Sequence, residues 1–259
     1  MQVSYSRLSC FANCPFQYNL RYNEQLDTLP DQSPDNALYL GTAIHEAFET
    51  GSVQAALNSY KSNYYVITDE HINEMIKLES LIPKVLKLLP PGLCEVEIST
   101  DEYKGFIDRL VPLYVDADDT AHYEIWDYKY CNPKNTDRYL ESGQLHLYKY
   151  YFELTHPNTI VDHLRYVFIP KTKIRQKKTE SIQMFRTRLI ETLAKMEPEV
   201  VEIEYDSNMV TQFKKCCQQL GAVKEFPKLP TRLCDWCQFQ EYCESNREVD
   251  YMIVQNAQK

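Results

Sequence analysis

Apolar and polar positions along the chain divide it into helices at both ends and a block of strands in the middle. Leu40, Ile44, Ala47 and Phe48 recur at helical spacing, which predicts a helix from about Asn36 to Thr50 with Gly51 as its stop. Residues 1–24 also read as helical, with Pro15 breaking or restarting the helix. A loop over residues 27–36, rich in aspartate and holding Pro30 and Pro34, separates the two. Further helices are predicted over 52–65 and from Asp69 to Leu89, the second kinked at Pro83 and ended by Pro90-Pro91-Gly92. Three strands then follow closely: Leu93 to Thr100, Lys104 to Val115 and Tyr123 to Tyr130. In the first, Cys94, Val96 and Ile98 alternate with Glu95 and Glu97. The turn-forming Asp116-Ala-Asp-Asp119 predicts that the last two strands pair antiparallel. A helix from about Thr136 to Leu154, a strand from Asp162 to Ile169, a helix from Ser181 to Met196 and a strand from Glu199 to Tyr205 complete the core pattern. A last helix runs from Ser207 to Leu220, with Ser207 as its N-cap. This order predicts an α/β fold with a mixed central sheet flanked by helices, extended by a cysteine-rich module.

The strands place charge where it is costly. Side chains alternate across a strand, so Phe106, Asp108 and Leu110 share one face, as do Ile125, Asp127 and Lys129 on the neighbouring strand. A carboxylate on an apolar face needs compensation. A divalent cation between Asp108 and Asp127, with Lys129 beside it, would supply it, and that is the chemistry of metal-assisted phosphodiester hydrolysis. The plainer alternative is an Asp127–Lys129 ion pair on a solvated face. His45 lies four residues after Gly41 on one helix face and is either a third metal ligand or a surface histidine. Gln144 and Tyr148, also four apart, either orient the lysine, a phosphate or a base, or are ordinary helix polarity. Glu97, on the strand before Asp108, either adds a carboxylate near the metal ions or is solvated or placed behind the ligands.

Composition narrows the picture. The chain of 259 residues suits one large domain, with or without an insertion. No apolar run is long enough to span a bilayer and the N-terminus lacks a charged-then-apolar leader pattern, so an intracellular protein is expected. With only 6 glycines against 20 tyrosines, long flexible linkers are not expected. The net charge of −9 argues against non-specific coating of nucleic acid. Yet Arg165 to Arg188 holds eight cations against Glu180 alone, a local +7 that is either a solubilising loop or a phosphate-binding surface. Nine cysteines, an odd number, fit a reducing compartment better than a disulfide framework. Cys234, Cys237 and Cys243 form C-x2-C-x5-C, a thiolate spacing suited to a soft metal or an iron–sulfur cluster. The fourth ligand must come from elsewhere, with Cys14 and Cys10 as candidates, and a structural zinc site is the alternative.

Taken together these residues resemble the RecB-like and AddB-like branch of the PD-(D/E)XK nuclease superfamily. The order matches that branch: G-x-x-x-H at Gly41 to His45, G-x-x-D at Gly105 to Asp108, D-x-K at Asp127 to Lys129 and Q-x-x-x-Y at Gln144 to Tyr148. Cys14-Pro-Phe-Gln-Tyr18 with Leu20-Arg-Tyr22 resembles the first half of the family's iron–sulfur staple, and Cys234, Cys237 and Cys243 resemble the second. Stand-alone relatives of this size include phage exonucleases and the nuclease of CRISPR spacer acquisition. No Walker-type loop is present, so the resemblance is to a nuclease without its own motor. It implies one nuclease domain over 1–259, with 1–24 and 228–247 as the iron–sulfur module and 36–206 as the core, carrying a helical insertion at about 52–91. It implies a [4Fe–4S] cluster on Cys14, Cys234, Cys237 and Cys243. It also implies Mg2+ or Mn2+ on His45, Asp108, Asp127 and the carbonyl of Tyr128, with Lys129, Gln144 and Tyr148 completing the catalytic group. The partners so implied are DNA and a recombination or CRISPR adaptation protein, in the cytoplasm of a bacterial or phage-infected cell, with no membrane. The alternative is a DNA-binding subunit of such a complex. The oligomeric state, cleavage polarity and strand preference are not fixed by the sequence.

Overall fold

A computed structural model describes residues 2–248 and, as backbone alone, 253–255. In chain order the elements are α1 (Tyr5–Asn13), α2 (Pro15–Tyr18) running into a π-turn (Asn19–Asn23), β1 (Leu26–Thr28), α3 (Ala37–Thr50), α4 (Val53–Lys61) and α5 (Asp69–Leu86). They continue with β2 (Leu93–Ser99), β3 (Lys104–Val115), β4 (Ala121–Cys131), α6 (Asp137–Leu140), α7 (Gln144–Thr155) and β5 (Thr159–Pro170). The last are α8 (Ile182–Ala194), β6 (Glu199–Ile203), α9 (Ser207–Ala222), α10 (Gln240–Glu244) and β7 (Ile253–Gln255). The chain forms two compact units. The larger takes Gln32–Ile98 and Phe106–Asp206; the smaller takes the described residues of Met1–Asp31, Ser99–Gly105 and Ser207–Lys259.

The larger unit is an α/β fold around a five-stranded mixed sheet of order β2-β3-β4-β5-β6. β3 and β4 pair antiparallel, as the Asp116–Asp119 turn requires. Asp116 Oδ1 shapes that turn by accepting from the backbone N–H groups of Asp118 and Thr120, both at 2.9 Å. β4 and β5 are parallel, with Asp127 opposite Tyr166 and Lys129 opposite Phe168, and the crossover that parallel pairing needs carries α6 and α7. One sheet face presents Val111, Trp126, Tyr128, Val167 and Ile169 to a core built from α3, α4, α5 and α8. Fully buried Leu40, Phe48, Val85 and Leu189 each contribute roughly 1.5–3 kcal/mol there. α7 packs against β4 and β5, bringing Leu145, Tyr148, Tyr151 and Phe152 out of water.

The ends of α3 follow from sequence. Asn36 Oδ1 accepts from the N–H groups of Leu38 and Tyr39, and Gly51, at φ 68°, takes the left-handed stop. Gly92 is required for a different reason: a Cβ there would lie 2.6 Å from the carbonyl oxygen of Leu110.

Several expectations are corrected. The helix expected from Thr136 to Leu154 is broken at Ser142-Gly143, where the Ser142 hydroxyl bonds Tyr166 and glycine weakens the helix. Helix α5 ends at Leu86 rather than Leu89. Ser207 is the first residue of α9 rather than its cap. The helix read over residues 1–24 is three segments: the N–H of Cys14 ends α1 by bonding Cys10, and Pro15 starts α2, where its missing N–H costs nothing. β1 falls in a stretch expected as loop; it pairs with β7 some 230 residues away, with Leu26 opposite Gln255.

The smaller unit holds a cluster of aromatic rings. Phe11, Tyr18 and Phe226 form a ring cluster, with Tyr18 and Phe226 stacked at 5.9 Å. Among the described residues no helix is long and apolar enough to cross a membrane.

Candidate active site

The antiparallel ladder of β3 and β4 is in register at Arg109 and Trp126, so the next residues, Asp108 and Asp127, stand side by side on the face opposite Trp126. Beyond that pair the backbone N–H of Tyr128 donates instead to Asp108 Oδ2, at 2.7 Å. An extended residue points its N–H and C=O toward the same neighbouring strand, so the Tyr128 carbonyl also faces the Asp108 side. Arg109 secures this end of the sheet from the opposite face. Its guanidinium donates to the Tyr128 hydroxyl at 2.7 Å and to the carbonyls of Phe48 and Pro90 at 2.6 and 3.0 Å. That ties both strands to α3, the helix carrying His45.

His45 Nε2 lies 3.7 Å from Asp108 Oδ2, while its Nδ1 is 2.8 Å from Glu95 Oε1. Among the described residues, His45, Glu95 and Asp108 form the group whose ligand atoms all lie within 4.8 Å of one another. Lys129 Nζ is 2.6 Å from Asp127 Oδ2 and donates to Gln144 Oε1 at 3.1 Å; Gln144 Nε2 in turn donates to the Tyr148 hydroxyl at 2.7 Å. Gln144 is therefore the lysine's acceptor. Tyr148, buried, stands behind it and has no face open for a base. Breaking the crossover helix at Ser142-Gly143 makes Gln144 the first residue of α7, which is what brings its amide to Lys129.

The electrostatics are those of a site built for a cation. Asp127 is 0 % exposed, and neither of its oxygens accepts a well-formed hydrogen bond. Burial, reinforced by the Asp127 charge, pushes the Asp108 carboxyl up to about 7 despite His45, Lys129 and the Tyr128 N–H. Burial alone would depress His45, but the Glu95 hydrogen bond and the charges of Asp108, Glu95 and Asp127 hold it above its ordinary value. Burial likewise opposes the Lys129 charge, and Asp127 and Asp108 outweigh it, so the ammonium is retained. Two buried carboxylates, that of Asp127 without a well-formed hydrogen bond to either oxygen, and one imidazole make a hard O/N donor set that fits a divalent cation such as Mg2+ or Mn2+.

Sequence patterning brought His45, Asp108, Asp127, Lys129 and Gln144 forward, and the fold brings them together. It passed over Glu95 in favour of Glu97. The two hold equivalent alternating positions on β2, and the difference is conformational: Glu95 has φ 51°, a left-handed backbone that is rare outside glycine. Nothing in the residue string signals that turn.

A second set of candidate ligands lies in the smaller unit. All nine cysteines are free thiols. Cys14, Cys234, Cys237 and Cys243 line one cavity of about 490 Å³, together with Phe16 and Trp236. Cys10 is close enough to feel Cys14 and Cys237 but is not part of that lining. Burial pushes the thiols of Cys237 and Cys243 up; the Phe239 N–H opposes this at Cys237 and the Lys228 charge at Cys243.

The family model of the PD-(D/E)XK nuclease superfamily matches residues 2–244, and the chain belongs to that superfamily. No curated protein matches it. Membership makes it a hydrolytic enzyme of the metal-dependent nuclease type, and the carboxylate–histidine site is where such an ion fits.

Proposed function

We propose that this protein is a Mg2+- or Mn2+-dependent DNA exonuclease of the RecB/AddB-like branch, acting on single-stranded or end-containing DNA in recombination, repair or phage DNA processing. The observation that carries the reading is the fully buried Asp127 carboxylate, with no well-formed hydrogen bond to either oxygen, set between Asp108 and Lys129. His45, Asp108, Asp127 and the Tyr128 carbonyl would hold the ion. When bound, it supplies Lewis-acid charge at the scissile phosphate and acidifies a water molecule.

The chain's own residues do the rest. Asp108 must give up the proton that burial favours. Glu95 accepts from His45 Nδ1, which leaves the Nε2 lone pair facing Asp108. Asp127 keeps Lys129 protonated and Gln144 fixes its position, so the ammonium offsets negative charge developing on the phosphate.

The same reading assigns a [4Fe–4S] cluster to Cys14, Cys234, Cys237 and Cys243, with residues 1–24 and 228–247 as its module in one nuclease domain spanning 1–259 and a core over 36–206. Four free thiols around one cavity support it. Colour and bound sulfide would distinguish a cluster from the zinc alternative, which gives a colourless protein. The cellular setting we infer is bacterial or phage-infected cytoplasm, with a recombination or CRISPR adaptation protein as partner.

The test is anaerobic purification followed by digestion of end-labelled DNA with Mg2+, Mn2+ or EDTA. Brown protein that releases nucleotides from an end only with a divalent ion supports the reading. Brown protein inert on every DNA would instead make it a partner-dependent or DNA-binding subunit.

A further inference from the structure

The basic segment from Arg165 to Arg188 is not one surface. Arg165 reaches Glu124 and Glu202 at 3.2 and 3.3 Å, Arg186 reaches Asp69 at 2.6 Å, and Arg188 reaches Glu180 at 2.7 Å. These three arginines hold the fold. The other five cations, Lys171, Lys173, Arg175, Lys177 and Lys178, form no ion pair among the described residues, and all lie on the loop between β5 and α8.

That loop is anchored. Lys171 N–H donates to the Cys131 carbonyl at 2.8 Å, Thr172 is buried, and Ile174 packs against the helical core. Glu180 accepts from the Lys177 N–H at 3.0 Å, and Arg188 donates to the Arg175 carbonyl at 2.9 Å. Inward Thr172 and Ile174 alternate with exposed Lys173 and Arg175, so the chain's course turns its charges outward. Its position is fixed by strand register. Pro170 lies opposite Cys131, two residues past Lys129, so the loop, starting one residue further at Lys171, begins about 10 Å along the strands from the lysine.

Five like charges within eight residues repel one another, relieved only in part by the Asp35 carbonyl and the Tyr130 ring at Lys171 and by the Glu180 charge near Lys177. On a chain of net charge −9 they are the complement of a regularly charged polyanion brought to the site. We propose that Lys171–Lys178 binds the phosphodiester backbone of the nucleic acid beside the reacting phosphate and holds the strand in register with Asp127 and Lys129. This deepens the nuclease reading and rests on it.

The test measures binding of fluorescent single-stranded and duplex DNA to the full chain, with Ca2+ replacing Mg2+, across a salt series. The variant Lys173→Gln/Arg175→Gln/Lys177→Gln/Lys178→Gln is compared with wild type and with the charge-keeping Lys173→Arg/Lys177→Arg/Lys178→Arg. The expected result is at least a tenfold loss of affinity for the glutamine variant, with a slope of log K against log salt shallower by about 3 and an unchanged melting temperature. The charge-keeping variant should match wild type. Unchanged affinity and slope in the glutamine variant, with wild type still binding and cutting DNA, overturns the loop assignment alone. Wild type that neither binds nor cuts DNA overturns the nuclease reading and this inference with it. Equal loss of affinity in the charge-keeping variant also overturns it, since charge would not be what binds.

Discussion

The two candidate metal sites stand in opposite relation to their surroundings. Asp108 and Asp127 sit on long strands backed by a continuous apolar core, with Arg109 pinning both strands to α3. There the fold makes the site, and it holds the carboxylates where water would otherwise be preferred. The cysteine cavity is lined by thiols and aromatic rings on short helical turns, with Trp236 78 % exposed beside it. Here the ligands have little core to lean on, so occupation by metal is expected to contribute folding energy directly. Ligand removal should therefore mean lost chemistry at one site and lost structure at the other.

The largest effect expected is catalytic. Lys129→Ala should lower DNA cleavage by about 10³-fold or more, near 4 kcal/mol of transition-state stabilisation, while circular dichroism reports an intact fold. Next comes Cys237→Ala. Hydrogen exchange should show lost protection across Tyr5–Asn13 and Gln240–Glu244, with Lys104–Val115 and Ala121–Cys131 still protected. Equal loss of protection in both regions would break the contrast.

A subtler effect belongs to Glu95. Its carboxylate orients His45 from a strained backbone. Glu95→Gly should weaken Mn2+ binding about 10–100-fold, read by calorimetry, while relieving roughly 1 kcal/mol of left-handed strain and raising the melting temperature. Glu95→Gln, which keeps an acceptor, should lose less affinity.

The smallest effect is a pH dependence. Burial raises Asp108 to about 7, and the Glu95 bond and surrounding carboxylates hold His45 up against its own burial. From the unfolded aspartate value near 4 up to about 7, the folded chain keeps a proton that the unfolded chain has released. Stability without metal therefore falls as pH rises through that window. A bound cation replaces the proton, so Mg2+ should raise the melting temperature more at pH 8 than at pH 5. Equal stabilisation at both would place the ion elsewhere.

Particular residues show why some of this was legible in sequence and some was not. Alternation in two strands joined by an aspartate turn was enough to bring Asp108, Asp127 and Lys129 to one face, because strand periodicity is local. The helical spacing around His45 is local too. Glu95 depends on one left-handed φ, which tertiary packing selects and no side-chain pattern announces. The pairing of Leu26–Thr28 with Ile253–Gln255 depends on contacts across the whole chain. The +7 segment looked uniform until tertiary partners separated Arg165, Arg186 and Arg188 from the five cations that form no ion pair among the described residues. Tyr148 has the spacing to join Gln144, but only the helix start at Gln144 shows that it supports the amide from behind.

The most direct test of the account compares wild type, Asp127→Ala and Lys129→Ala in parallel for Mn2+ binding and for Mn2+-dependent digestion of end-labelled DNA. Wild type should bind and cut, Asp127→Ala should lose both, and Lys129→Ala should still bind Mn2+ but not cut. Cleavage by Asp127→Ala at the wild-type rate would contradict it.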